Sequence, residues 1–189
     1  MAERLVVLSD MWGSKRGLWI TSYLGYLQQY FDIVYYDSQV LADMESVVKT
    51  PESLCEAFVK GGYDTAVSHL LRKETEASHY LTFCAGGTIA WKAALQGLPM
   101  KSLLAVSPLW LHQYNTAPQC PVHLVYGEYM DNRPSSAWAE EVGVYLEEVP
   151  RFGRTLYSDE KIIQKVCLDL LKRVVQDTKL PLTKPLSVF

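Results

Sequence analysis

The sequence predicts an α/β domain, a six-stranded, mostly parallel sheet with flanking helices. Three observations carry that expectation. Short apolar runs of strand length alternate with longer helical patterns, as a parallel sheet and its crossover helices require. The runs are apolar at successive positions, Leu5-Val6-Val7-Leu8 being the clearest, so both faces of the strand are covered. Finally, a β-type run at 80–83 passes directly into Cys84-Ala85-Gly86-Gly87 and a helical pattern, a turn that needs small residues.

The elements follow in order. The first strand, 5–8, ends in Ser9-Asp10-Met11-Trp12-Gly13, and a helix is expected over 17–30. The second strand is 33–36. Thr50-Pro51-Glu52 starts the next helix with a hydroxyl cap, a proline in the first turn and an acid near the positive end. Gly61-Gly62 interrupts that helix before a second segment at 64–72. The third strand, 80–83, feeds a helix to about Leu95, closed by Gly97. Strands at 102–106 and 122–126 follow, and 142–149 reads as the sixth. Ser158-Asp159-Glu160 caps a final amphipathic helix to about Val175. Residues 1–178 form a single domain, and 179–189, with two prolines, form a C-terminal tail.

Composition narrows the function. A chain of 189 residues with 49% hydrophobic and 21% charged residues is globular and long enough for one real core. A net charge of −3 argues against nucleic-acid partners, and no apolar run reaches the roughly 20 residues that span a bilayer. The N-terminus enters a strand at once rather than a signal-type segment, so a cytoplasmic location is expected. Cys55, Cys84, Cys120 and Cys167 are scattered, as are the histidines, so neither a disulfide framework nor a metal site is expected, and no cofactor. The oligomeric state is left open.

The chemistry concentrates at Thr82-Phe83-Cys84-Ala85-Gly86-Gly87. A strand turning sharply into a helix holds the turn residue in a strained conformation with its side chain above the sheet. Gly86 and Gly87 supply the room, and the helix start favours a thiolate at Cys84.

Here the chain resembles the α/β-hydrolase superfamily, along almost its whole length. Residues 5–13 look like the strand and loop that supply part of an oxyanion hole. Residues 82–87 look like the nucleophile elbow, with Thr82 at its first glycine and Cys84 as nucleophile. Residues 121–134 look like the segment presenting the acid, and 151–156 like the loop presenting the histidine. Cysteine at the elbow also resembles the dienelactone hydrolases. The resemblance implies a minimal member: the family's first two strands are missing, and the link between the fourth and fifth strands leaves no room for a lid domain.

Two triad positions depart from the pattern. Gly127 and Pro134 keep the family's frame, and Met130 stands at the acid position, with Asp131 one residue late and Glu128 nearby. The histidine position falls at Arg154, which cannot act as a base because its pKa is above about 12. Of the histidines, His123 reads as a packed strand residue, His79 as preceding the third strand on the face opposite the elbow, and His69 as surface. His112 alone, after the fourth strand, has an approach to Cys84.

The resemblance therefore implies Cys84, Asp131 and His112 as the catalytic candidates, the amides of Met11 and Ala85 as the oxyanion hole, and Arg154 as the replacement at the base position. Trp12, Trp110 and Tyr129, with Tyr114 and Phe152, would gather at the carboxyl ends of the strands, where open α/β sheets bind ligands. An aromatic cleft with one arginine suits a small acyl or aromatic molecule carrying an anionic group. Two readings stay open: a weak thiol esterase or thioesterase, and a pseudo-hydrolase that binds a ligand or protein. A thiolate-favouring helix end and Arg154 lead to an expected Cys84 pKa below about 8.5.

Overall fold

The computed structural model describes residues 2–44 and 50–177. Six strands form one sheet: β1 Glu3–Leu8, β2 Phe31–Tyr36, β3 Ser78–Phe83, β4 Met100–Val106, β5 Val122–Gly127 and β6 Tyr145–Val149. Their order is β2-β1-β3-β4-β5-β6, and every pair is parallel rather than most of them. β3 and β5 are buried at every position, as strands covered on both faces must be. The expected tail at 179–189 lies outside the described residues.

The helices are α1 Leu18–Leu27, α2 Ser38–Leu41, α3 Pro51–Ala57, α4 Tyr63–Lys73, α5 Ala85–Leu95, α6 Ser136–Val142 and α7 Glu160–Asp177. α1 packs with α7, and α4 with α5. The start of α3 is set by Thr50, which caps it in a reciprocal box with Ser53. The interruption expected at Gly61-Gly62 is a kink, with Gly61 at φ 139°.

Two expectations change. The apolar stretch 142–149 is not one strand: Val142 ends α6, Gly143 turns left-handed at φ 76°, and β6 begins at Tyr145. The left-handed residue closes the helix and bars any strand from starting before it. His79 lies inside β3 rather than before it, with Nδ1 2.7 Å from the Ser102 hydroxyl.

The strand order reverses between β1 and β3: the chain leaves β1 toward β2 and returns on its other side. Loops after the two central strands diverge at such a point and leave a crevice at their carboxyl ends. The loop after β1 and the turn after β3 meet there.

Candidate active site

Cys84 stands between β3 and α5 at φ 48° and ψ −117°, a conformation that L-residues other than glycine rarely hold. Its amide is fixed to Val106 O at 2.9 Å, and its carbonyl accepts the Gly87 amide at 3.0 Å. The two glycines behind it are required by distance. A Cβ on Gly86 would sit 2.4 Å from Ser9 O, and one on Gly87 would sit 2.7 Å from the Pro108 Cβ. The first turn of α5 is therefore wedged between the segments that follow β1 and β4.

This packing places the loop after β1 over Cys84. The backbone N–H groups of Met11 and Ala85 both act on the Cys84 sulfur and favour its ionised form. These are the two amides that the resemblance assigns to an oxyanion hole.

The expected low thiol pKa is overturned. Cys84 is 1% exposed, and burial pushes its thiol up to about 12, with the charge of Asp10 adding to the rise. The amides of Met11 and Ala85 and the charge of Arg154 oppose that rise without cancelling it. Removing a thiolate from water costs more here than the helix end and one exposed arginine return.

No imidazole meets the sulfur among the described residues. His112 is exposed on a short helical turn, Leu111–Gln113, with its ring 6.3 Å from that of Trp110. His123 is buried against Glu147, Nε2 to Oε2 3.0 Å, and that bond and Lys165 hold the Glu147 carboxyl down to about 2. His69 is tied through Nδ1 to Leu41 O at 2.8 Å. Met130, at the family's acid position, is 4% exposed and part of the core, while Asp131 beside it faces solvent. Glu128 accepts the Arg151 amide at 2.7 Å, so it fastens the loop that would carry the histidine. That loop lies close: a Cβ on Gly127 would be 2.4 Å from Phe152 O.

The aromatic residues split into two groups. Tyr129 is 65% exposed, Trp12 lies under the Arg16 guanidinium at 4.6 Å, and Tyr114 packs on Trp91. Beside the elbow stands a different set: Trp19, Tyr23, Phe83 and Tyr157, with Trp19–Tyr157 and Trp19–Phe83 centroids 4.6 and 4.7 Å apart. Phe83 adjoins Cys84 in the chain, and the Tyr157 ring packs against it with centroids 5.7 Å apart.

Two residues that the sequence pattern did not single out complete the site. Asp10, 2% exposed, accepts the Trp12 amide at Oδ1 (3.0 Å) and the Tyr157 hydroxyl at Oδ2 (3.1 Å). Burial raises its pKa to about 6 against the pull of those donors. Tyr157 lies on the short helical turn Leu156–Ser158, three residues past Arg154. The available signal was position: Asp10 is the acid at the carboxyl end of the first strand, in the segment assigned to the oxyanion loop.

Two clefts, of about 580 and 570 Å³, open at the opposite edge of the sheet, lined by residues such as His123 and Lys172 in one and Met100 and Cys120 in the other. Neither includes Cys84. Among the described residues, no group of three or more His, Cys, Asp or Glu side chains could hold a metal ion, and no helix is long and apolar enough to cross a membrane.

No family model and no curated protein sequence matches the chain. Solved structures do. A CIB-like hydrolase from Thermoplasma acidophilum superposes with a TM-score of 0.64 at 18% identity, over 90% of this chain and 86% of the other. A Xanthomonas campestris protein assigned to the alpha/beta hydrolase superfamily gives 0.64 at 16% identity, over 90% of this chain and 99% of its own. A Klebsiella pneumoniae protein assigned as a dienelactone hydrolase gives 0.64 at 15% identity, over 90% and 85%. What these three share with the chain is a fold.

Proposed function

From the premise that this chain has the α/β-hydrolase fold, we propose that it is a slow, thiol-dependent acyl hydrolase. Its substrates would be small esters or thioesters, with Cys84 as nucleophile and the amides of Met11 and Ala85 receiving the carbonyl oxygen as it becomes negative. The observation that carries the reading is the Cys84 backbone at φ 48° and ψ −117° with both amides acting on its sulfur. A strained residue persists where its surroundings hold it, and nucleophile positions are where such strain is kept. Slowness follows from the enclosed thiol, whose pKa of about 12 leaves almost no thiolate at neutral pH.

The enclosure also supports the second reading, a pseudo-hydrolase that binds without turnover. In that case Arg154, exposed and close enough to act on the Cys84 sulfur, would face the anionic end of an acyl or aromatic ligand.

Steady-state hydrolysis of p-nitrophenyl acetate and of an acetyl thioester, by the protein and by Cys84→Ala, separates the two. The hydrolase reading predicts turnover well under one per second that falls to the buffer rate in Cys84→Ala, since losing the usual base costs several powers of ten. Equal rates for the two proteins would hand the site to the binding reading.

A further inference from the structure

A second set of reactive side chains lies where β1, β3 and β4 begin, at the edge of the sheet opposite Cys84. Ser102 Oγ is 2.7 Å from His79 Nδ1, and His79 Nε2 is 3.8 Å from a Glu3 carboxylate oxygen. We propose that Ser102 is the nucleophile of a second hydrolytic site, with His79 as its general base and Glu3 as the positioning residue. Its substrates are small esters that carry an anionic group. This goes beyond the thiol reading of Cys84 and does not rest on it.

The backbone builds this constellation. β3 and β4 pair Ser78 with Met100 but His79 with Ser102, so Lys101 is an extra residue on β4. In an unbroken register Lys101 would stand opposite His79. The bulge puts the serine there instead, and Lys101 bonds the Glu3 carboxylate. Glu3 shares the face of His79, because it lies two residues before Leu5, the β1 partner of His79. The Lys101 bond holds the Glu3 carboxyl below its ordinary range, so it is ionised at neutral pH. Its charge favours a proton on His79 Nε2, which leaves the Nδ1 lone pair to accept the Ser102 hydroxyl. Nucleophile, base and acid thus follow in the order that acyl transfer uses, with Nδ1 rather than Nε2 toward the serine.

Of the three, Ser102 alone lines the cleft of about 580 Å³, while His79 is buried. The same cleft holds Lys165, Lys172 and Arg173, which share one face of α7. Lys165 is paired with Glu147 and Asp169, at 2.7 and 2.6 Å. Lys172 and Arg173 have no carboxylate partner among the described residues, and Arg173 lies over the Tyr145 ring at 5.8 Å. Two such cations in the cleft that a serine lines suit an ester bearing a carboxylate or phosphate. Acetyl esters give them nothing to hold and are left to Cys84.

The steps balance without an oxidant or metal. The Ser102 oxygen bonds to the acyl carbon as its proton passes to His79 Nδ1, and the Glu3 carboxylate faces the imidazolium so formed. That proton goes to the departing alkoxide as its bond to the acyl carbon breaks, leaving an ester on Ser102. Water then gives a proton to Nδ1 as its oxygen attacks the ester carbon. The proton returns to the Ser102 oxygen as the serine ester bond breaks, and the carboxylic acid leaves.

The test has two arms. In the first, the unaltered protein is treated with an alkyl fluorophosphonate and read by intact mass and peptide mapping. The expected product is one phosphonyl group per chain on the peptide containing Ser102, formed about a hundredfold more slowly in His79→Gln. Should His79→Gln fail to fold by circular dichroism, Glu3 decides: Glu3→Gln labels about tenfold more slowly, and Glu3→Asp, which keeps the charge, restores the rate. In the second arm, Cys84→Ala is given mono-p-nitrophenyl glutarate. Release of p-nitrophenol should exceed that of Cys84→Ala with Ser102→Ala, and Lys172→Ala with Arg173→Ala should raise KM about tenfold. No label on Ser102, labelling indifferent to both His79 and Glu3, or glutarate release that survives Ser102→Ala overturns the proposal. A silent Cys84 in the acetate assay is the failure of the thiol reading alone and leaves both arms to be read as stated.

Discussion

Gly86→Ala is expected to destabilise the protein by about 3 kcal/mol or more, the upper range for forcing atoms into a packed site. The added Cβ would lie 2.4 Å from Ser9 O, 2.8 Å from the Leu8 Cβ and 2.9 Å from Leu8 O. Two of those atoms are main chain, so no side-chain rotation relieves the contact. Either α5 lifts from the sheet or the end of β1 shifts, and both movements displace the residues around Cys84. Gly25→Ala is the matched control. Gly25 lies in α1 with nothing within 4 Å of a new Cβ, and alanine there should add up to about 1 kcal/mol through helix propensity. Urea midpoints of the two variants measure both effects. A Gly86→Ala variant within about 0.5 kcal/mol of the parent, the range of ordinary surface changes, would mean that the elbow is looser than described.

The second large effect is a pH-dependent one at Asp10. Its folded pKa, about 6, stands above the ordinary value of 3.8, so the folded chain binds this proton more tightly than the unfolded chain. Stability contributed by the group is therefore full below pH 4 and is lost as the pH rises through 6. The loss is on the order of 2–3 kcal/mol by neutral pH, at about 1.4 kcal/mol per pKa unit. Asp10→Asn lacks the titration. The stability difference between variant and parent, from urea melts at pH 4 and pH 7, should therefore shift toward the variant by that amount. Glu147 acts with the opposite sign: its pKa is lowered from 4.5 to about 2, so its contribution is present above pH 4.5 and lost as the pH falls through 2. A difference that stays flat between pH 4 and 7 would show that Asp10 titrates as a surface acid.

How far the sequence speaks depends on the range of the interaction involved. The first five strands, the Thr50 cap, the kink at Gly61 and the elbow at Cys84 are local, each written in a few neighbouring residues, and each stands where the pattern puts it apart from a residue or two at the strand ends. The one misplaced element was also local. Ser135 caps α6 through the Trp138 amide and Gly143 ends it, but Val142 and Val144 flank that glycine and carry the eye into β6.

The site was harder because its decisive facts are long-range. Asp10 and Tyr157, separated by 147 positions, meet through a hydrogen bond that no spacing rule announces. The burial of Cys84 under Met11 and beside Phe83 and Tyr157 depends on how the loop after β1 folds over the elbow. A helix N-terminus seen in sequence promises a lowered thiol pKa; only the packing shows that water is gone and the promise reversed. None of the four histidines supplies the family's base, and the buried carboxyl whose charge acts on the thiol, Asp10, comes from the loop after β1.

The central claim is that Cys84, held at a strained elbow, is the atom that takes the acyl group. Intact-mass analysis after reaction with p-nitrophenyl acetate, followed by peptide mapping, tests it directly. A missing histidine slows the removal of the acyl group as well as its arrival, so a covalent intermediate should accumulate. The predicted result is one acetyl group per chain, carried by the peptide that contains Cys84 and absent from Cys84→Ala. Acetylation confined to lysines, or spread equally over the native and Cys84→Ala proteins, would contradict it and leave the elbow as a structural turn.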